Sequence, residues 1–363
     1  MNLFLATLFK LIVLFGWLML FSLYATWAER KESAVIQDRH GANRAKVLGI
    51  SSFGIFQPFA DAIKMLFKED YIPPFVNKPL FLLAPSLSFF FSAVVVVAIP
   101  FGPDLTLRGR SFPLGIVSGD FTLPLVVALL SMGVFGFLLG GLSSRNKYAA
   151  IGGMRGAAQI LSYEVAMILA LLGLVALYSS MDLRVIVARQ QGLLWGFLPR
   201  WGIFLQPLGF LLFLIAAVAM TKRVPFDMPE GESEIVGFFL EYSGLRFGLF
   251  MLTDFVETIV VSLLTTVLFL GGWHLPGLIS ASGFSGVLFP WGGKVILSPL
   301  TVQILQVLVF QAKTVLVFIF LLLVRWTFPR YRFDQVMDLG WKSLLPLGLI
   351  NLTATLILLR VVR

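Results

Sequence analysis

Residues 119–142 read GDFTLPLVVALLSMGVFGFLLGGL, and no formal charge falls between Asp120 and Arg145. A helix of that length rises far enough to cross the roughly 30 Å hydrocarbon core of a bilayer. Working outward, further apolar runs bounded by charge, Pro or Gly give spans at 3–28, 79–100, 119–142, 159–181, 203–222, 247–270, 302–328 and 339–361. The expected fold is all-α: a polytopic membrane protein with about eight transmembrane helices, forming one integral domain over residues 1–363. The first run contains Lys10. It is too long for the apolar core of a signal peptide and lacks a small-residue cleavage site, so it reads as a retained helix.

A chain that is 58% apolar and 13% charged is not an ordinary soluble enzyme. The absence of cysteine excludes disulfides, thiolate-held iron–sulfur clusters and four-cysteine zinc sites. His40 and His274 lie far apart in sequence, so no metal site is expected and redox chemistry is assigned to partners.

Charge sets the orientation. Counting each edge residue with the connection it borders, the first, third, fifth and seventh connections hold 18 Lys/Arg and the other three hold 6. The positive-inside rule then places the odd loops in the cytoplasm and both termini outside. The net charge of +9 is explained by this distribution rather than by a basic face for nucleic acid.

The first connection, residues 29–78, opens with Glu29-Arg30-Lys31-Glu32 and becomes helically periodic near 55–69. Phe56, Phe59, Ile63, Leu66 and Phe67 fall on one face, with Asp61, Lys64 and Lys68 opposite, the pattern of an amphipathic helix in the interface. Such a helix either anchors the loop or walls a cavity for a hydrophobic ligand arriving through the lipid. In the third connection, Gly152-Gly153 permits a tight turn or close helix approach. Glu164 follows just inside the next span, as a functional carboxylate or as one reaching back to water.

The fifth connection runs Arg223-Val224-Pro225-Phe226-Asp227-Met228-Pro229-Glu230-Gly231-Glu232-Ser233-Glu234, with Glu241 beyond; five of the 19 acidic residues fall within the 15 positions that start at Asp227. Pro229 suits the first turn of a helix that would align Glu230, Glu234 and Glu241 on one face, with Glu232 elsewhere. Carboxylates crowded in a poorly hydrated place resist joint ionisation, and one can exchange protons near neutrality; a solvated acidic loop that docks a basic partner is the other reading. Asp254 and Glu257, at i and i+3, and Lys313 lie inside later spans, as ion pairs or as steps of a titratable path.

On these stretches, Glu29-Arg30-Lys31, Gln57 to Lys64, Asn146-Lys147-Tyr148 through Arg155, Ser162-Tyr163-Glu164, and above all Arg223 to Glu234 with Glu241-Tyr242-Ser243, the chain resembles the subunit 1 family (also lettered H) of proton-pumping NADH:quinone oxidoreductase, respiratory complex I. The resemblance implies a place at the junction of the membrane and peripheral arms, in an energy-coupling membrane such as the prokaryotic plasma (inner) membrane. It implies a quinone chamber with Glu29, Arg30, Arg44, Phe59, Asp61 and Lys64, and an acidic loop of Asp227, Glu230, Glu232 and Glu234 behind Arg223. A coupling path through Glu164, Glu241 and Asp254 is also implied, with Glu257 and Lys313 as further charges in the spans. The substrate would be a quinone, ubiquinone or menaquinone. Flavin and iron–sulfur clusters would sit in partner subunits, the terminal cluster in the peripheral arm, and this chain would carry no prosthetic group.

Three departures are visible, the first being Asp254 where the family usually has a glutamate, one methylene longer. Gly41-Ala42-Asn43-Arg44 stands where the family usually has Gly-Pro-Asn-Arg, and Met220 stands where a glutamate usually precedes the Thr-x-Arg-x-Pro-Phe-Asp run. The related subunits of membrane-bound hydrogenases or ferredoxin-driven complexes are the nearest alternative, and a stand-alone secondary transporter is a more distant one.

Overall fold

A computed structural model describes residues 3–46, 53–107, 110–194, 198–231, 234–235, 237–281, 284–288 and 294–362. The helices in chain order are α1 (Leu3–Ile36), α2 (Gln57–Phe67), α3 (Lys78–Ala98), α4 (Thr122–Ser143), α5 (Lys147–Tyr178), α6 (Leu183–Arg189), α7 (Gly202–Leu205), α8 (Pro207–Met220), α9 (Gly244–Phe269) and α10 (Pro299–Thr327). They end with α11 (Phe333–Asp338), a π-helical turn (Leu339–Leu344) and α12 (Leu345–Val362). Among the described residues seven helical stretches are long and apolar enough to cross a membrane, and Pro207–Met220 is a shorter apolar helix. The fold is thus all-α and polytopic, with short antiparallel strand pairs (Leu105–Leu107 with Arg110–Phe112, Leu193–Leu194 with Leu198–Pro199) and a three-stranded antiparallel sheet of Leu278–Ala281, Phe284–Leu288 and Lys294–Ile296.

The fifth span differs from the continuous 203–222 expected. Proline at 207 cannot continue the ladder of α7, and the chain breaks at Gln206, whose side chain donates to Thr355 of α12 at 2.9 Å. The helices also overrun the apolar runs. α1 continues to Ile36, so Glu29 and Arg30 stand on its last turns, and α5 begins at Lys147, so Gly152-Gly153 lies within a helix rather than a turn. Helical hydrogen bonding does not stop where apolarity does, because polar residues at a membrane surface satisfy their side chains in water while their backbones stay paired.

α9 is the most enclosed long helix and α1 the least. Its interior hydroxyls, those of Thr258, Ser262, Thr265 and Thr266, each donate to the carbonyl four residues back, so that buried polar groups are satisfied within the helix. Small residues bring neighbours close: a Cβ on Gly136 of α4 would lie 2.6 Å from the Ser88 backbone of α3. The outer faces of α1, α10 and α12 expose Phe9, Leu316 and Leu358, as a surface turned to lipid requires.

Candidate functional site

Long-range pairing begins at Glu29, whose carboxylate meets two guanidiniums: Arg223 of the α8–α9 connection at 3.0 Å and Arg325 at the end of α10. One residue on, Arg30 pairs with Asp61 of α2 at 2.6 Å, and Gln57 donates to the same carboxylate at 3.2 Å. α2 forms as the periodicity predicts. Its Phe59 meets Tyr24 edge-on at 6.3 Å, whereas Ile63, Leu66 and Phe67 stay exposed on its apolar face. Arg44 and Lys64 are exposed and stand outside this pairing among the described residues.

The acidic connection does not fold as the helix expected from Pro229. Residues 221–230 make turns, and the only helical segment described there is a 3₁₀ turn at Phe238–Glu241, so Glu230, Glu234 and Glu241 do not share a face. Tertiary contacts override the local signal. Gln159, fully buried on α5, donates to the carbonyls of Ala219 at 2.6 Å and Phe226 at 2.7 Å, and Phe226 lies between Tyr163 and Tyr331 at ring distances of 5.4 and 5.7 Å. The segment is thereby held against α5 in a compact turn.

Asp227 is buried and paired with Arg330. Burial pushes its carboxyl up to about 6, against the opposing pull of Arg330. Glu230 is raised well above the ordinary range, first by burial and then by the nearby charges of Asp254 and Asp227. Glu234 lies near the surface in a pair with Arg155, and Glu241 accepts from Asn146 at 2.5 Å. Glu232 lies outside the described residues.

Behind Arg223 the connection reaches into the helical body through Lys222, only 6% exposed. Its Nζ lies 3.2 Å from Asp254 Oδ1 and 2.9 Å from Glu257 Oε2, and it donates to Glu257 Oε1 at 3.0 Å. Ser92 of α3 donates to the same Oε1 at 3.2 Å, and the Phe137 ring of α4 lies 4.8 Å from the ammonium. Two carboxylates contact this one ammonium, with Arg223 the next cation in their field, and such crowded acids favour sharing a proton. Glu257 also borders a cavity of about 20 Å³ walled by Phe137, Phe213, Met220 and Thr221, enough for one water.

Glu164 sits well inside α5, not at its edge, because that helix starts 17 residues earlier at Lys147; it is hydrogen-bonded to Ser131 of α4. Lys313 stands apart from the acidic cluster. Its ammonium donates to the carbonyls of Leu270, Gly272 and His274 at 2.6, 3.0 and 2.6 Å and lies 4.2 Å from the Trp201 ring, so it caps the far end of α9. Twelve residues of α9 follow Glu257 before that end, about 18 Å along the helix axis.

Lys222, Gln159, Arg325 and Arg330 shape the site, although nothing in their sequence positions announces it. Lys222 closes an apolar run, where a lysine ordinarily reaches for water, and Arg325 and Arg330 read as orienting charges. A buried glutamine within a helix has no local signature. A cleft of about 950 Å³ between α1 and α3 is lined by apolar residues such as Phe15, Leu87 and Phe90 with Ser86, and carries no charged group.

The sequence pattern of the NADH dehydrogenase family matches residues 9–356. The chain is 42% identical to an H-type NADH-quinone oxidoreductase subunit of Geobacter metallireducens, over 95% of its own length and 94% of that protein. It is 42% identical to the H-type subunit of Thermomicrobium roseum over 92% and 89%, and 36% identical to that of Flavobacterium johnsoniae over 95% and 92%.

Proposed function

The chain belongs to the NADH dehydrogenase family of NADH-quinone oxidoreductase H subunits, and on that premise we propose how it serves the enzyme. It is a membrane subunit of a complex I-type NADH:quinone oxidoreductase, in which other subunits carry flavin and iron–sulfur clusters. Its own residues shape a quinone chamber and pass the effect of quinone reduction to the proton-moving part of the membrane arm.

One observation carries this reading. A set of charged pairs runs from the amphipathic helix inward: Asp61 to Arg30, Glu29 to Arg223 and Arg325, Asp227 to Arg330, and Lys222 to Asp254 and Glu257. Charges are costly inside a membrane body, so a run of them is a candidate route for charge. The exposed apolar face of α2 suits passage of a quinone tail from lipid. The peripheral-arm subunit bearing the terminal cluster would close the chamber from the cytoplasmic side, with the odd loops facing it. Glu230 and Asp227, whose carboxyls burial raises, would respond to charge in the chamber, and Glu164, Glu234 and Glu241 would extend the response along α5. The carboxylate of Glu257 stands at the cavity that Met220 lines, so that place is not without a titratable group.

The test is purification of the tagged native chain in mild detergent, with identification of partners and an assay of inhibitor-sensitive quinone reduction. Flavin and iron–sulfur subunits with quinone reductase activity are expected. A nickel–iron partner without quinone dependence would move the assignment to a membrane-bound hydrogenase, and activity of the isolated chain would move it to a transporter.

A further inference from the structure

We propose that Lys222 is a positioning residue for proton transfer between Asp254 and Glu257, its ammonium following the negative charge from one carboxylate to the other. The inference rests on the reading of this chain as a coupling subunit of the oxidoreductase.

The geometry supplies the means. Asp254 and Glu257 are three residues apart on α9, so they stand about 4.5 Å apart along its axis, Asp254 being nearer the acidic connection. The Lys222 ammonium is within 3.2 Å of both, and a displacement of a few tenths of an ångström moves it from a closer pair with one to a closer pair with the other. Its backbone does not come from a helix. Lys222 has φ +55°, a left-handed conformation uncommon for a side chain of this size, and it is the residue at which α8 turns into the loop. A change in the loop therefore acts directly on the placement of the ammonium. The two carboxylates face different surroundings. Asp254 lies in the field of Glu230 and Asp227, which sit in the connection. Glu257 faces Ser92, the Phe137 ring and the water-sized cavity with Thr221, and its Oε2, although 2.9 Å from Lys222, lacks an aligned hydrogen bond. Arg223, the neighbouring cation at this junction, acts on both carboxylates through its field but makes its ion pair with Glu29.

The step balances. The O–H bond of a protonated Asp254 breaks and an O–H bond forms on Glu257; Lys222 stays an ammonium, and its closer ion pair moves from Glu257 to Asp254. No electrons are exchanged and the net charge of the trio is constant. Without the ammonium, the ionised carboxylate would keep only the field of Arg223, which is itself paired with Glu29, and the transfer would face more of the cost of a buried charge. Water in the cavity beside Glu257 would take the proton onward.

The experiment uses the whole complex reconstituted in vesicles, with proton movement and NADH oxidation recorded together. NADH-driven quinone reduction by the unaltered complex is the control that tests the underlying reading, and its absence would overturn that reading and this inference with it. With the control in place, Lys222→Arg is expected to keep the ratio of protons moved per NADH oxidised, whereas Glu257→Gln and the double variant Lys222→Met/Glu257→Gln lose it. The double variant removes one charge of each sign and leaves the net charge unaltered. Recovery of the parental ratio in the double variant would show a merely structural pair and sink the proposal. Infrared difference spectra on quinone reduction give a second readout from the conservative variants alone. A protonated-carboxyl band that shifts in Lys222→Arg and disappears in Glu257→Gln is expected, and a band unaltered in both overturns the assignment.

Discussion

Glu29, on the last turns of α1, lies 3.0 Å from Arg223, which stands 194 residues later in the chain. Arg325 takes the other oxygen of the same carboxylate, so one acid holds α1, the acidic connection and α10 together. All three groups are shielded enough that loss of the anion leaves two cations facing each other in a poorly hydrated place. Glu29→Gln is expected to cost about 3 kcal/mol by that mechanism. The measurement is the thermal unfolding midpoint of the purified complex, which should fall, and an unshifted midpoint would show that the pairs contribute nothing.

Asp227 makes the site sensitive to pH. Its carboxyl is raised to about 6 by burial from an ordinary 3.8, so the folded protein holds this proton more firmly than the unfolded chain. The stabilisation is complete below the ordinary value and is lost as pH rises through about 6. Asp227→Asn cannot ionise, so it should remove this part of the decline. Comparing unfolding midpoints of the two proteins between about pH 4.5 and 7 checks the sign: the difference should move in favour of the asparagine variant as pH rises.

Lys313 supplies a test by contrast. Its three hydrogen bonds all go to backbone carbonyls at the end of α9, and removing the donor leaves those acceptors unsatisfied at roughly 1–3 kcal/mol each. Lys313→Met should therefore reduce the amount of assembled complex and lower its unfolding midpoint. Lys313→Arg should recover part of the loss, since a guanidinium can donate to several carbonyls. Equal stability of the methionine variant and the parent would count against the capping role.

The exposed apolar face of α2 bears on quinone access. Ile63 is 55% exposed there, with Leu66 and Phe67 beyond it. Ile63→Asp places a charge where a hydrophobic tail is expected to slide, and it should raise the KM for a long-tailed quinone several-fold by the ordinary cost of burying a charge. A short-tailed analogue should be affected less. Identical effects on both substrates would separate α2 from the access route.

Much of the site was legible residue by residue. The run from Arg223 to Glu234 marks an acidic segment that is not a normal basic loop, and Asp254 and Glu257 are conspicuous because charge inside an apolar run is costly. Their grouping was not legible. Pro229 favours a helix start locally, yet Gln159 captures the carbonyls of Ala219 and Phe226 and holds the chain in turns instead. Lys313 and Glu257 look alike in sequence as charges within spans, but one caps a helix end and the other joins a three-charge cluster.

That this chain is helical and lies in a membrane, that α2 is amphipathic, and which positions carry charge into the apolar body can all be read along the chain. Those properties follow from hydrophobicity and helical period, which are written in neighbouring residues. The meeting of Glu29 with Arg223 and Arg325, of Asp227 with Arg330, and of the inward-turned Lys222 with Asp254 and Glu257 arises in the folded bundle. An ion pair across a helical bundle depends on how helices distant in the chain are rotated and set against one another. That arrangement is fixed by packing over the whole body, where close approaches such as Gly136 to Ser88 decide which faces meet.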